Sequence, residues 1–224
     1  MPEPILALEG VTLRAPDGHR LFHGLDWQVP RGARFHLKGV RGGGATAFLR
    51  LCAGIAEPEA GQVRLDGAAL AAPHLRHPFL ERGALGFVPS DGGLAVNLPI
   101  LDNVTLPLRF ALNLGRAEAE AQAWLWLERA GLAEVALARP RVPADGQSWL
   151  AALASAAAKG AELWLVDRPA GGLDSESRRA AREILAQAGA DPAVTMILVG
   201  EDWLADLGQP LAIVDGRMST EGQP

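Results

Sequence analysis

The feature that most constrains this chain is a glycine-rich turn set between a strand-like stretch and a helical one. Arg34 to Lys38 alternates as a short strand would, Gly39, Gly42, Gly43 and Gly44 follow, and then Phe48, Leu51, Cys52 and Ile55 recur at helical spacing. Strand, glycine-rich loop and helix make the frame in which backbone N–H groups and a helix N-terminus cradle a phosphate. Gly39 and Gly44 fall on the outer glycines of the pattern G-x-x-x-x-G-K-[ST], with Gly42 between them, and Thr46 stands where a hydroxyl would ligate Mg²⁺. The residues that would line a nucleotide are therefore Gly39, Arg41, Gly42, Gly43, Gly44, Ala45, Thr46 and Ala47. Ala45 takes the place of the lysine. A nest of backbone amides survives that exchange, but the positive charge on the β- and γ-phosphates does not. A charge-assisted hydrogen bond contributes about 1.5–3 kcal/mol, so nucleotide should bind at least about tenfold more weakly.

Composition sets the outer bounds. A chain of 224 residues with 49% hydrophobic and 21% charged residues is long enough to bury a sizeable core and is not globally disordered. A net charge of -5 gives no support to nucleic-acid binding. The single cysteine, Cys52, excludes an internal disulfide framework and falls on the apolar face of the helix after the loop, where packing is the expected role. No apolar run approaches the roughly 20 residues that span a bilayer. Met-Pro-Glu-Pro-Ile lacks the charge and apolar core of a signal peptide, so a cytoplasmic protein is expected, reaching a membrane only through partner subunits.

Taken in order, residues 5–14 and 21–29 read as strands about a Pro16-Asp17-Gly18 turn, forming an antiparallel layer ahead of the loop. Residues 62–67 read as another strand and turn, and the stretch to Arg82 as loop. His74 and His77 lie there three apart; no cysteine or carboxylate cluster joins them, so a solvated loop is expected rather than a metal site. Leu85–Val88, Glu162–Asp167 and Val194–Val199 are apolar without alternation, as strands buried on both faces are, and Leu211–Val214 is a terminal strand. Helical pattern runs from Ala117 with Trp124, Leu127 and Leu132 as anchors, from Leu150 to Ala158, and from Ser175 to Ala188. Strands alternating with helices predict an α/β fold with a mostly parallel sheet, an antiparallel β-layer and an inserted helical subdomain. The whole is read as one domain, with a core of about 1–89 and 160–224 and a helical subdomain of about 90–159. Trp124 and Trp126 lie two apart on a helix and cannot share a face, so one is expected in the core and the other against a partner. Trp149, Trp164 and Trp203 are read as packing residues, and Glu118 and Glu120 as a solvated helix face.

The order of elements resembles the nucleotide-binding subunit of an ABC transporter, a P-loop NTPase-like fold, over essentially the whole chain. Residues 39–47 correspond to its P-loop. Gly86-Phe87-Val88-Pro89-Ser90-Asp91 is similar to its Q-loop segment, and Val142-Pro143-Ala144-Asp145-Gly146-Gln147 stands where its LSGGQ motif belongs. Leu163-Trp164-Leu165-Val166-Asp167 resembles its Walker B strand, Gly172-Leu173-Asp174 its D-loop, and Val199-Gly200-Glu201-Asp202 its switch segment. The likeness implies ATP with Mg²⁺ on Thr46 and Asp167. It also implies a transmembrane transporter subunit as partner, met through residues about 90–112, and a second ABC-type subunit, the same or a competent paralogue, met near Gln147 and Asp174.

The departures from that family remove chemical parts one after another. The lysine is Ala45, the Q-loop glutamine is Ser90, the serine of the LSGGQ motif is Ala144, the carboxylate that follows Walker B is Arg168, and the switch histidine is Glu201. No aromatic stands near Ala15 to stack on adenine. A general base needs a lone pair at the working pH, which a protonated guanidinium lacks. Arg168 and Glu201 either face each other as an ion pair across the vacant γ-phosphate position or are two solvated replacements. Arg41 flanks the loop within reach of a phosphate, while Lys38 is expected to point away. These changes imply a silent, structural or coupling subunit, a pseudo-ATPase, with no nucleotide or only weakly bound ATP and Mg²⁺. The alternatives are an ATPase with unorthodox residues and a sensor that binds nucleotide without turnover. Leu101 to Leu108 is similar to the same stretch in bacterial lipid and lipoprotein transport ATPases, which implies a lipid cargo.

Overall fold

The computed structural model describes residues 3–15, 18–38, 44–70, 77–142 and 145–220. Two sheets and a set of helices share the chain. β1 (Leu6–Arg14), β2 (Arg20–Val29), β4 (Ala60–Leu65) and the two-residue β5 (Ala68–Ala69) form an antiparallel sheet in the order β2-β1-β4-β5. β3 (Arg34–Lys38), β6 (Leu85–Val88), β7 (Leu163–Val166), β8 (Thr195–Gly200), β9 (Gln209–Val214) and β10 (Arg217–Thr220) form the second sheet, ordered β10-β9-β3-β8-β7-β6. It is parallel except for the β9–β10 hairpin. This is the mixed α/β architecture that the strand and helix patterns predict.

The parallel strands are apolar without alternation because both faces are covered. In β7, Leu163 and Leu165 face the antiparallel sheet and α1 (Ala45–Cys52), whereas Trp164 and Val166 face the helical side. β8 divides in the same way, with Ile197 and Val199 on one face and Met196 and Leu198 on the other. Phe22, Trp27, Phe35 and Phe48 cluster between the sheets with ring centroids 5.3–6.0 Å apart. Such pairs add about 0.5–1.5 kcal/mol each beyond area burial.

The other face carries α3 (Ile100–Ala111), α4 (Arg116–Arg129), α5 (Gly146–Ala158) and α6 (Ser175–Gly189). α3 keeps its course through Pro107, and its first amides are satisfied from outside the helix. Ile100 and Leu101 donate to the carbonyls of Ala138 and Ala136 at 2.9 and 2.8 Å. Asn103 fastens the preceding loop, accepting from the N–H of Ala95 at 2.7 Å and donating to the carbonyls of Ala95 and Pro99. Among the described residues no helix is long and apolar enough to cross a membrane.

Three expectations are corrected here. The stretch before Arg82 is not all loop, since β5 and the short α2 (Pro78–Glu81) lie within it. His77 is not solvated: it is buried, its Nδ1 accepts from the N–H of Phe79 at 3.2 Å, and its Nε2 meets the carbonyl of Ala68 at 3.1 Å. Both ring nitrogens are committed to the backbone, which leaves neither for a metal; His74 lies outside the described residues. Trp124 and Trp126 do not divide into core and surface. Both are half-buried against the helical core, Arg129 stacks over Trp126 at 4.7 Å, and the exposed apolar residue of the pair's helix is Leu125 between them.

Candidate functional site

The register of the parallel sheet gathers the predicted residues at one edge. Lys38 pairs with Gly200, and Val166 with both Leu198 and Val88, so the loops after β3, β6, β7 and β8 leave at the same level. Ser90, Asp167, Arg168 and Glu201 all stand on those loops, at the carboxyl ends of the strands where α/β sheets open a crevice. Gly39, Arg41, Gly42 and Gly43 lie outside the described residues, as do Pro143 and Ala144.

Gly44 opens α1 in the left-handed conformation, φ 78°, and a Cβ there would stand 3.2 Å from Leu21. The positive φ favours glycine there, and the Leu21 side chain would have to shift slightly for a larger residue. Among the described residues no side chain caps α1, and its first turn holds no acidic residue. Ala45 is buried at the first helical position, Thr46 is exposed beside it, and Ala47 is half-buried.

Thr46 and Asp167 come together. Burial pushes the Asp167 carboxyl above the usual carboxylate range, and the Thr46 hydroxyl draws it back most strongly by hydrogen bonding. The N–H of Arg168, 3.0 Å from Asp167 Oδ1, and the charges of Arg168 and Arg50 act in the same direction. One hydroxyl and one carboxylate, oxygen donors only, suit Mg²⁺, which takes few protein ligands and fills the rest of its octahedron with water and phosphate. A Mg²⁺–nucleotide therefore fits the residues present, although the cation that would meet its phosphates is Ala45. Among the described residues no group of three or more His, Cys, Asp or Glu could hold a metal without such a ligand.

The remaining positions are set by their neighbours. Ser90 is held through its main chain, its carbonyl accepting from Ala170 at 2.8 Å. Glu201 is exposed and in extended backbone at the head of a short 3₁₀ turn, Asp202–Leu207. Arg168 is half-buried with its charge felt by Asp167. At this edge Lys38 is ion-paired with Asp202 at 3.3 Å. Lys38, expected to point away, is turned towards the 201–202 segment at this edge.

Two features were missed from the sequence. Trp149, expected only to pack, also donates its indole N–H to the carbonyl of Asp167 at 2.7 Å. Asp145 is the N-cap of α5, with Oδ1 accepting from the amides of Gln147 and Ser148 at 3.1 and 3.2 Å. An acidic cap ahead of an apolar helical run is a sequence signal in its own right, contributing about 0.5–2 kcal/mol. Asp174 caps α6 in the same manner, accepting from Ser177 at 2.7 Å, and that N–H holds its carboxyl below the usual range.

A parallel sheet flanked by helices, with left-handed Gly44 opening α1 and a hydroxyl–carboxylate pair beyond it, fits a nucleotide-binding domain of the P-loop kind. The particular family follows from comparison with known proteins. The family model described as "ABC transporter" matches residues 22–171, and the chain belongs to that family. It is similar to the Fe(3+) ions import ATP-binding protein FbpC of Serratia marcescens, 32% identical over 98% of this chain and 63% of that protein. The FbpC of Mesorhizobium japonicum is 34% identical over 90% of this chain and 56% of its own length. The chain therefore spans less than two thirds of these relatives. Among solved structures, a dimeric post-hydrolysis state of the ATP-binding cassette MJ0796 bound to ADP and Pi superposes with a TM-score of 0.83 at 23% identity, covering 98% of this chain and all of that one. The cassette cbiO1 from Clostridium perfringens gives 0.68 at 21% identity, covering 97% and 87%. Both show that the fold is shared.

Proposed function

We propose that this chain is the cytoplasmic nucleotide-binding subunit of an ABC transporter and that it couples or supports its partners without turning ATP over. The observation that carries the reading is the residue after Asp167. Arg168 follows Asp167 where the family carries its general base, and a protonated guanidinium has no lone pair with which to deprotonate water. Ala45, Ser90, Ala144 and Glu201 extend the same deficit to phosphate, metal and switch contacts. Bound Mg²⁺–ATP would supply a polarised γ-phosphoryl group. Thr46 and Asp167 would orient the metal, the α1 amides would hold phosphate oxygens, and Arg168, at the position after Asp167, would take no proton from water.

In this reading residues 90–159 are the helical subdomain and residues about 90–112 meet the membrane subunit. Phe110, 82% exposed on the last turn of α3, and Val96, 54% exposed before it, support that assignment. The second cassette, the same chain or a competent one, would meet the face bearing Gln147 and Asp174. The cargo is set by the membrane partner. The Leu101–Leu108 stretch supports a lipid, whereas the named relatives are Fe(3+) import proteins.

The retained contact of Thr46 with Asp167 and the uncapped start of α1 favour a second reading, a sensor that binds nucleotide and does not hydrolyse it. Calorimetry with Mg²⁺–ATP and with ADP, followed by phosphate release from the assembled transporter, separates the readings. Heat without phosphate release supports the sensor, no heat supports the silent subunit, and sustained phosphate release that Asp167→Asn abolishes refutes both.

A further inference from the structure

The opposite end of the parallel sheet holds a guanidinium whose charge the chain leaves unbalanced. β3 begins with Arg34 and β9 with Gln209, which pairs with Phe35. Gly208 lets the two strands start close together, since a Cβ on it would stand 2.7–3.0 Å from the backbone of Phe35 and His36. Beside this junction lies a cavity of about 410 Å³ whose lining includes Ala33, Arg34, Asp206, Gly208 and Gln209. A space of that size takes a small organic molecule. From Arg34 the strand runs about 13 Å to Lys38 at the nucleotide edge, so the two places are separate.

The charges around the cavity do not cancel. The carboxylate of Asp206 is committed to a fork with Arg182, whose Nη1 meets Oδ1 at 2.8 Å and whose Nη2 meets Oδ2 at 2.6 Å. Arg34 has no such counterpart: its Nε is shut from water without a hydrogen-bond partner among the described residues. What steadies the group is the end of α6, where a Cβ on Gly189 would lie 3.5–3.7 Å from Nη1, Cζ and Nε. A helix C-terminus offers only about half an elementary charge, which leaves the rest of the guanidinium's charge unmet. A planar guanidinium in that state takes a carboxylate or a phosphate through paired N–H···O contacts.

We propose that this cavity binds a small organic anion, whose carboxylate or phosphate group is held by the terminal nitrogens of Arg34. The site lies away from Thr46 and Asp167 and stands whether or not the chain turns ATP over.

The test is a titration of the whole chain with succinate and, separately, with inorganic phosphate, read by the ¹⁵N–¹H amide peaks of Ala33, Gly208 and Gln209. These peaks should move saturably with at least one of the two. Succinate alone assigns the site to carboxylates, phosphate alone to phosphorylated molecules, and both to either head group. Arg34→Met keeps an apolar stem without the charge, and its peaks should stay in place. Arg34→Lys, which also serves if the methionine variant does not fold, keeps the charge without the planar fork and should bind at least about tenfold more weakly. Undiminished binding by either variant overturns the proposal. So does a lack of movement with both anions in the native protein, the result expected if Arg34 only braces the end of α6. Movement confined to Gly44, Ala45 and Thr46 would put the anion at the nucleotide edge and overturn it as well.

Discussion

Trp149 holds Asp167 from behind. The indole N–H donates to the main-chain carbonyl of Asp167 at 2.7 Å while the carboxylate of the same residue faces Thr46, and both residues are buried. α5 and the carboxyl end of β7 are thereby joined through one residue that also belongs to the candidate metal pair. Asp167 is anchored on its third side by its own N–H, which donates to Val88 at 2.8 Å.

Trp149→Phe keeps most of the ring volume and leaves the Asp167 carbonyl without its partner. A buried acceptor left unsatisfied costs about 1–3 kcal/mol. The chemical-denaturation midpoint should fall accordingly with an unchanged slope. A variant as stable as the native protein would show that this bond does not hold the junction.

Lys159, at the C-cap of α5, donates Nζ to the carbonyl of Leu85 at 2.9 Å, and burial pushes its ammonium down to about 8 from 10.5. The unfolded chain binds this proton more tightly than the folded one, so stability rises with pH through the window from 8 to 10.5. The full penalty, of order 3 kcal/mol by the size of the shift, applies below that window. Lys159→Met has no such titration. Subtracting its denaturation free energies from those of the native protein between pH 7 and 10.5 should leave a rising difference; a flat one contradicts the buried charge.

His77 serves as an N-cap for α2 while its other nitrogen fastens the helix to β5. His77→Ala should cost about 0.5–2 kcal/mol. His77→Asn, which keeps a cap acceptor, should recover part of that loss. Thermal unfolding of the three proteins checks the order.

The fold was legible where apolar residues run without interruption. β7 and β8 could be read within Glu162–Asp167 and Val194–Val199 because burial on both faces leaves apolar runs without alternation, Leu163–Val166 and Met196–Val199. β5 could not be, since two alanines carry no periodicity and the strand exists only through its pairing with Arg64 and Leu65. His77 was misread because prolines surround it in sequence, whereas its burial depends on Ala68, nine residues away. The edge that gathers Ser90, Asp167, Arg168 and Glu201 followed from motif order, but the partner each residue takes did not. For Arg168 and Glu201 motif order left an ion pair and two solvated replacements as alternatives; Glu201 is exposed, and the charge of Arg168 is among those that lower the Asp167 carboxyl. Asp145 was readable as a cap ahead of Gln147 and Ser148. The expectation of an LSGGQ motif drew attention to Ala144 instead.

Restoring the missing parts should restore function in a fixed order. Ala45→Lys places an ammonium at the first position of α1, where its flexible stem can reach past the buried Cβ towards the loop. One charge-assisted contact of about 1.5–3 kcal/mol corresponds to at least about a tenfold gain in Mg²⁺–ATP affinity, with a smaller gain for AMP, which lacks the β- and γ-phosphates. That variant alone should bind without turning over, because Arg168 still supplies no base. Adding Arg168→Glu supplies the base and removes one of the charges that draw the Asp167 carboxyl down, so Asp167 becomes easier to protonate. Metal-dependent binding by the double variant should therefore weaken at acidic pH more than in Ala45→Lys. Calorimetry of both variants across pH reads this difference. A tenfold gain from Ala45→Lys with identical pH profiles would confirm the phosphate contact and refute the role given to Arg168.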